Sequence, residues 1–346
     1  MTPRAAFEAQ AEHCAGLGAP FMARLMTLLA ARLTPGTALT ERIFNWSGDP
    51  APDADNLPLR LAAGLHAICL RGHALRDVYP PQNGISDDEL WAALSEAFLA
   101  HEPFLLTWLD SPPQTNEVRR SAIVSAALSV IAARSDLPVE LLELGCSGGL
   151  NLRADQFFLV TGPNRGLGPA QARLRLEPDW RRGVPEGRLP RIVARKGVDL
   201  NPLEPTSAAG RLRLLAYLWP DQPARIARTK VAIRIARDVP ADIECGDAGA
   251  WLEEKLAPPA PDRLRVVFHT VAHQYFPKAT QERISAACAS AQGPLCRLSM
   301  EADGTRPDAA ITLTDPSTGA LMQLGRASFH GDWIDWHPDH RAFSAS

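Results

Sequence analysis

The chain has 346 residues, 46% of them hydrophobic and 22% charged, with 36 Lys+Arg against 39 Asp+Glu for a net charge of -3. That length and apolar content exclude a disordered polymer and suit one large globular domain or two ordinary ones. The opening residues hold no apolar secretory core, and arginines interrupt the longest apolar stretch, so neither a secretory leader nor a membrane span is expected.

The six cysteines, Cys14, Cys69, Cys146, Cys245, Cys288 and Cys296, form no Cys-x-x-Cys pair. A reduced, cytoplasmic protein without a bound metal is the expectation.

Residues 1–135 read as helices. Apolar residues recur at helical spacing over 7–33, with Pro20 as an interruption, and again over 57–78. Ser86-Asp87-Asp88-Glu89 has the form of a capping box and opens a third helix through Trp91, Leu94 and Phe98. Pro112-Pro113 breaks the chain, and Gln114-Thr115-Asn116-Glu117 starts a fourth helix that runs to about residue 134.

Past residue 136 the pattern alternates between strands and helices. Strands are predicted at 139–144, 192–199, 242–245, 265–270 and 295–301, followed by a hairpin of 311–314 and 320–327 around Asp315-Pro316-Ser317-Thr318-Gly319. Five strands with helical connections and a terminal hairpin predict an α/β fold: a Rossmann-like, doubly wound, mainly parallel sheet of about seven strands. The expected domains are 1–135, all helical and acting as a lid or pocket wall, and 136–346, the sheet.

The stretch Glu143-Leu144-Gly145-Cys146-Ser147-Gly148-Gly149-Leu150-Asn151 is the most informative in the chain. Glycines just after a strand allow φ > 0 and close approach of a ligand, and a helix expected after them would complete a nucleotide-binding corner. Gly145, Ser147 and Gly149 also match Gly-x-Ser-x-Gly, the nucleophile elbow of α/β-hydrolases. A tight structural turn is the plain alternative.

Acidic residues end the next two strands. Asp199, in Gly197-Val198-Asp199-Leu200-Asn201-Pro202, is placed to accept from ribose hydroxyls. An Asx turn before Pro202 explains it equally well. Its distance from the glycines exceeds the usual spacing of about 20 residues. The segment 161–190, rich in Gly, Pro and Arg and read as an inserted loop, accounts for the excess. Asp247, in Gly246-Asp247-Ala248, is placed to accept an adenine amino group or to cap a helix. His269, His273 and Tyr275 follow the fourth strand as candidate bases and hydroxyl, and Glu301 ends the fifth. His-x-x-x-His without an adjacent Glu is a weak metal pattern.

Taken in order, the 143–149 stretch, Asp199, Gly246-Asp247-Ala248 and His269 resemble the core of class I S-adenosylmethionine-dependent methyltransferases. One glycine of that family's Gly-x-Gly-x-Gly is Ser147 here. The resemblance implies S-adenosylmethionine as cofactor, held by Glu143, Gly145, Ser147, Gly149, Asp199, Asp247 and Ala248, with His269, then His273 and Tyr275, as catalytic candidates. More closely, the chain resembles a bacterial family of unknown function that pairs a helical N-terminal region with such a core. Gln114-Thr115-Asn116-Glu117, residues 143–151 and 197–202, Trp219-Pro220-Asp221-Gln222, Gly246-Asp247 and Phe329-His330-Gly331 carry that likeness. Asn116, Glu117, Glu301 and His330 are substrate candidates by position, with helix capping, solvated surface and the end of the hairpin as their plain readings.

No Asn-Pro-Pro-Tyr signature follows the fourth strand, which favours a small-molecule acceptor over nucleic acid. Residues 153–237 hold 17 basic and 7 acidic residues. The arginines do not alternate with stacking aromatics, so they read as solvated surface. An esterase using Ser147 is the alternative activity. It lacks the earlier strands and His-Gly-Gly-Gly stretch of that fold. A non-catalytic nucleotide-binding protein is the third.

Overall fold

A computed structural model describes residues 1–338 apart from Ser317, so one residue of the predicted hairpin turn lies outside the described residues. The chain divides into two compact units, Met1–Thr115 with Ser207–Lys230, and Asn116–Thr206 with Val231–Ser346.

The first unit is helical. It contains α1 (Pro3–Gly16), α2 (Pro20–Arg32), α3 (Ala38–Phe44), α4 (Leu57–Leu70), α5 (Asp87–Ala100) and α6 (Glu102–Leu109). Local chemistry fixes the starts. Pro20 opens α2, where its missing N–H costs nothing. The Ser86–Glu89 capping box forms as predicted, with Ser86 N donating to Glu89 Oε2 at 2.7 Å and Glu89 N to Ser86 Oγ at 3.2 Å. Helix α4 is buried nearly all round and is the unit's central element. Leu25, Leu29, Leu61, Leu65 and Leu94 pack in one core about it. Each contributes roughly 1.5–3 kcal/mol by leaving water. Sequence periodicity predicted one helix over 57–78. Instead α4 stops at Leu70, Gly72 takes φ +88°, and a short 3-10 turn follows at Ala74–Asp77.

The second unit begins with a 3-10 turn, Val118–Arg120, and α7 (Ser121–Ala132), then the first strand, β1 (Val139–Leu144). A 3-10 helix, Leu150–Gln156, follows. It is kinked at Arg153 and replaces the α-helix expected there. Next come β2 (Phe158–Gly162), β3 (Arg165–Leu167), β4 (Arg175–Leu176), β5 (Asp179–Arg182) and β6 (Ile192–Asp199). Helix α8 (Ala208–Ala216) returns to the first unit, and α9 (Pro223–Asp238) spans the boundary. The remaining elements are β7 (Asp242–Cys245), α10 (Ala248–Leu256), β8 (Leu264–Thr270), α11 (Lys278–Ser290), β9 (Leu295–Ala302), β10 (Ala309–Thr314), β11 (Leu321–Ala327) and β12 (Trp333–Trp336).

Nine strands form one mostly parallel sheet in the order β5-β12-β11-β10-β9-β8-β1-β6-β7, and β3-β2-β4 make a small second sheet. The β10–β11 hairpin forms where predicted. Two expectations are corrected. The sheet has nine strands, not about seven, because β12 pairs with β11 and carries β5 in parallel beside it. The supposed loop at 161–190 contains β3, β4 and β5. These strands are too short for alternation to reveal them, and they take their partners from distant sequence.

Strand β1 is buried along its whole length between β6 and β8, both parallel to it. Its side chains alternate across the sheet. Leu142 and Leu144 join Val198, Val267, Trp251 and Ile284 under α10 and α11. Glu140 shares that face, whereas Glu143 turns to the other.

The units also divide at a different place from the predicted residue 135. Helix α7 belongs with the sheet, and its side chains, Ala and Ser mixed with Ile, Val and Leu, are buried on almost every face. Ser207–Lys230 belongs with the helices. Ala216 and Tyr217 pack with Ala63, Ala67 and Trp108, and Asp221 Oδ2 accepts from Phe21 N at 2.9 Å at the start of α2. Trp219-Pro220-Asp221-Gln222 thus supplies an N-cap to a helix some 200 residues earlier.

Candidate active site

The glycine turn lies at the carboxyl end of β1. Gly145 and Gly149 take φ +69° and +61°, and Ser147, with a side chain, takes +52°. A left-handed serine is unfavourable by roughly 1–2 kcal/mol, and hydrogen bonds offset that. Ser147 N donates to Asp199 Oδ2 at 2.8 Å, Gly145 N to Val198 O at 2.9 Å, and Leu150 N to Asn116 Oδ1 at 2.9 Å. The two glycines are close-packed against protein. A Cβ at 145 would stand 2.7 Å from the Ala272 methyl, and one at 149 would stand 2.6 Å from Ile243 Cδ1 and 3.1 Å from an Arg153 guanidinium nitrogen. Beside Gly149, Ile243 and Arg153 occupy the space where a side chain would stand.

Glu143 is buried at the root of the turn, 2% exposed. Burial pushes its pKa up to about 8, against the opposing pull of Arg153 and an Asn151 hydrogen bond. Its Oε2 has no hydrogen-bond partner, and neither does the buried Oγ of Ser147. Buried polar atoms are usually hydrogen-bonded, so two unsatisfied ones beside the turn call for an explanation.

Asp199 ends β6, where predicted. Its two oxygens accept separately, Oδ2 from Ser147 N and Oδ1 from Asn201 N at 2.9 Å. The Asx turn is therefore present, and the same carboxylate also holds the glycine turn. Asp247 caps α10, with Ala250 N donating to Oδ1 at 2.9 Å, and accepts from Thr280 Oγ1 at 2.6 Å. The Thr280 bond holds its carboxyl below the usual range. Ala248 follows as the buried first residue of α10.

A second cluster sits at the carboxyl end of β8. His269 is 1% exposed and both ring nitrogens are engaged. Arg297 Nε donates to His269 Nε2 at 2.9 Å, and His269 Nδ1 lies 2.8 Å from Glu301 Oε1. Arginine can only donate, so Nε2 accepts and the proton resides on Nδ1. Burial lowers the His269 pKa and keeps the ring neutral. Glu301 also accepts from Ala272 N and His273 N at 3.0 and 3.1 Å. Burial opposes its charge, but these hydrogen bonds outweigh burial and hold its pKa below the ordinary value. Val271, between the histidines, takes φ +53°, a strained state for a β-branched residue.

His273 stacks on His269 with ring centroids 4.8 Å apart. Its Nε2 is buried without a hydrogen-bond partner, and burial lowers its pKa to about 4. Tyr275 is 74% exposed. Glu117 is buried and its Oε1 accepts from Arg119 N at 3.0 Å. Arg120 donates to Thr270 O and to Phe329 O, each at 2.9 Å. His330 follows Phe329 in a turn whose Gly331 lies against the Arg119 backbone.

A family model described as "uncharacterized protein conserved in bacteria (DUF2332)" matches residues 4–336. The chain belongs to that family. Neither a curated protein nor a solved structure matches it.

The family-like stretches Asn116-Glu117, 143–151, 197–202 and Phe329-His330-Gly331 thus join at one edge of the sheet. Glu143, Gly145, Ser147, Asp199 and Asn116 share the glycine turn. His269, His273 and Glu301 share the neighbouring loop, and Ala272 of that loop touches Gly145. Asp247 and Ala248 stand at the end of β7, two strands from β1. Tyr275 points away from any enclosed cluster. Sequence reasoning missed Arg297, the partner that takes His269 Nε2. A lone arginine within a strand gave no sign of it. It also missed Arg153, buried beneath the turn with a guanidinium nitrogen 2.6 Å from Gly149 O. Among the described residues no group of His, Cys, Asp and Glu is placed to hold a metal, and no helix is long and apolar enough to cross a membrane.

Proposed function

We propose that the sheet unit is a class I, Rossmann-like methyltransferase that binds S-adenosylmethionine at the carboxyl edge of β1, β6 and β7 and methylates a small acceptor. The observation that carries this reading is the hydrogen bond from Ser147 N to Asp199 Oδ2. It brings the acid ending one strand beside the glycine turn ending its neighbour, where a ribose would lie. The strand order supports it. Renumbered along the chain, β7-β6-β1-β8-β9 follows the 3-2-1-4-5 order of doubly wound folds, whose ligands bind where the order reverses.

The donor set fits such a cofactor. Glu143, with an unpartnered oxygen, would meet the methionyl amino group. Asp199, ending β6 beside the glycine turn, would accept from the ribose hydroxyls. Asp247 and the Ala248 N–H would flank the adenine edge. The cofactor supplies an electrophilic methyl on a sulfonium. The protein's part is to align the acceptor and exclude water. His269 cannot accept a proton while Arg297 holds Nε2, so its part is to fix the loop through Glu301. His273, neutral with a free Nε2, is the better residue to orient an acceptor. The serine-hydrolase reading loses support, because Ser147 Oγ has no histidine partner.

The test is calorimetric titration of the full chain with S-adenosylmethionine and with its demethylated product. Both should bind, and Asp199→Asn should weaken each by about tenfold, the loss of one charge-assisted hydrogen bond. Absence of binding by both ligands sinks the proposal. A covalent adduct at Ser147 with a fluorophosphonate would favour the hydrolase instead. Binding without methyl transfer to any acceptor would favour the non-catalytic protein.

A further inference from the structure

The helical unit has a cleft of its own, separate from the site above. Its volume is about 940 Å³, near the upper end of small-molecule sites, which span roughly 300–1,000 Å³. It draws on the start of α2, the end of α4, the chain from Arg76 to Ile85, and the first turns of α9. Its walls are apolar, chiefly Phe21, Leu70, Val78, Ile85 and Ile226.

The charges around it are mostly of one sign. Arg24, Arg76 and Lys230 line the cleft. Arg24 is already engaged, with Nε 2.6 Å from Asp87 Oδ1 and a second nitrogen donating to Ile85 O at 2.8 Å. Arg76 and Lys230 are exposed, and among the described residues their side chains form no ion pair. Their fields reach inward. Lys230 adds to the burial that depresses His66 to about 4, and Arg76 opposes, while Asp77 adds to, the burial that lifts the Cys69 thiol to about 11. Asp221 is the one carboxylate in the lining. It faces the positive N-terminus of α2, where its Oδ2 takes the Phe21 and Met22 N–H groups at 2.9 and 3.4 Å. Its other oxygen is buried without a hydrogen-bond partner. The floor, with neutral His66 and Cys69, adds no negative charge.

We propose that this cleft binds a small anionic amphiphile: an apolar body against Phe21, Val78, Ile85 and Ile226, with a carboxylate or phosphate head between Arg76 and Lys230. An apolar wall gives such a ligand its affinity, and the two cations in the lining fix its orientation. A cation of the same size would meet an unfavourable potential.

The experiment titrates the full chain with octanoate, octyl phosphate and octylamine by calorimetry. Octanoate or octyl phosphate should bind about tenfold tighter than octylamine or better, and the tighter of the two identifies the head. Arg76→Glu with Lys230→Glu should weaken the anion about tenfold or more while leaving the thermal unfolding midpoint in place, since both positions are exposed. Ala227→Trp, at an exposed position on the cleft wall, should remove binding of all three probes. Equal binding of octylamine and octanoate, or a doubly reversed variant that binds octanoate like the parent, overturns the proposal.

Discussion

Glu143 carries its chemistry in one number. A carboxyl whose pKa is about 8 in the folded chain and near 4.5 when unfolded retains its proton in the fold across the interval between them. The folded state then binds the extra proton, so stability falls as pH rises from about 4.5 to about 8 and levels off above. Glu143→Gln should remove that slope and be the more stable protein at pH 8, as urea unfolding at several pH values would reveal. The same residue sets the pH dependence of the proposed cofactor site. A cationic amino group favours the ionised carboxylate, so affinity should climb with pH until about 8 in the parent and stay flat in the variant. Glu301 behaves in the opposite way. It is ionised and buried and accepts from the neutral His269 ring and from backbone N–H groups, so Glu301→Ala should cost roughly 1.5–3 kcal/mol of unfolding free energy, the usual worth of hydrogen bonds to a charged group. An unchanged urea midpoint would contradict the arrangement around His269. His269 itself shows why sequence misleads at this scale. A histidine ending a strand looks like a base. Arg297, which takes its acceptor nitrogen, is 28 residues away and becomes its neighbour only when β9 pairs with β8.

Elements were legible wherever they carry their own signal. Strands β1, β6 and β7 end where alternation and flanking glycine or proline placed them, and the Ser86 capping box reads directly from four residues. Ser86→Ala should destabilise by about 1 kcal/mol, visible as a small fall in the urea midpoint. Elements that borrow their definition were not legible. Strands β5 and β12 exist because each has the other for a partner, with Asp179 opposite Trp333. The turn after β1 is a mixed case. Its glycines were readable, but not that Ala272 and Ile243 press against them. Gly145→Ala should therefore cost roughly 1–3 kcal/mol through strain at φ +69° alone, and more through the methyl contact with Ala272. A Gly145→Ala protein as stable as the parent would show that the β8 loop yields easily.

At the scale of the whole molecule, the helical unit is discontinuous in sequence. Removing Ser207–Lys230 uncaps α2 at Asp221 and takes Ala216 and Tyr217 from beside Ala63, Ala67 and Trp108. A fragment of residues 1–115 should keep helical far-ultraviolet dichroism yet lose the near-ultraviolet signal of fixed aromatic packing. A fragment with full near-ultraviolet signal and a cooperative melt would show that the inserted segment is dispensable. The expected boundary at 135 failed for a related reason: α7 is helical like its predecessors, and only its burial on nearly every side reveals that it serves the sheet. The discontinuity also puts a clock on biosynthesis. At about 5–20 residues per second, the ribosome needs on the order of 5–20 s to travel from Thr115 to Ser207. Throughout that interval the first six helices have been synthesised without the segment that closes their core, and β6, the partner of β1, is completed only at its end. The nascent chain must therefore hold an unfinished apolar surface in solution until its own later residues arrive, which makes this the stage at which a chaperone has most to offer.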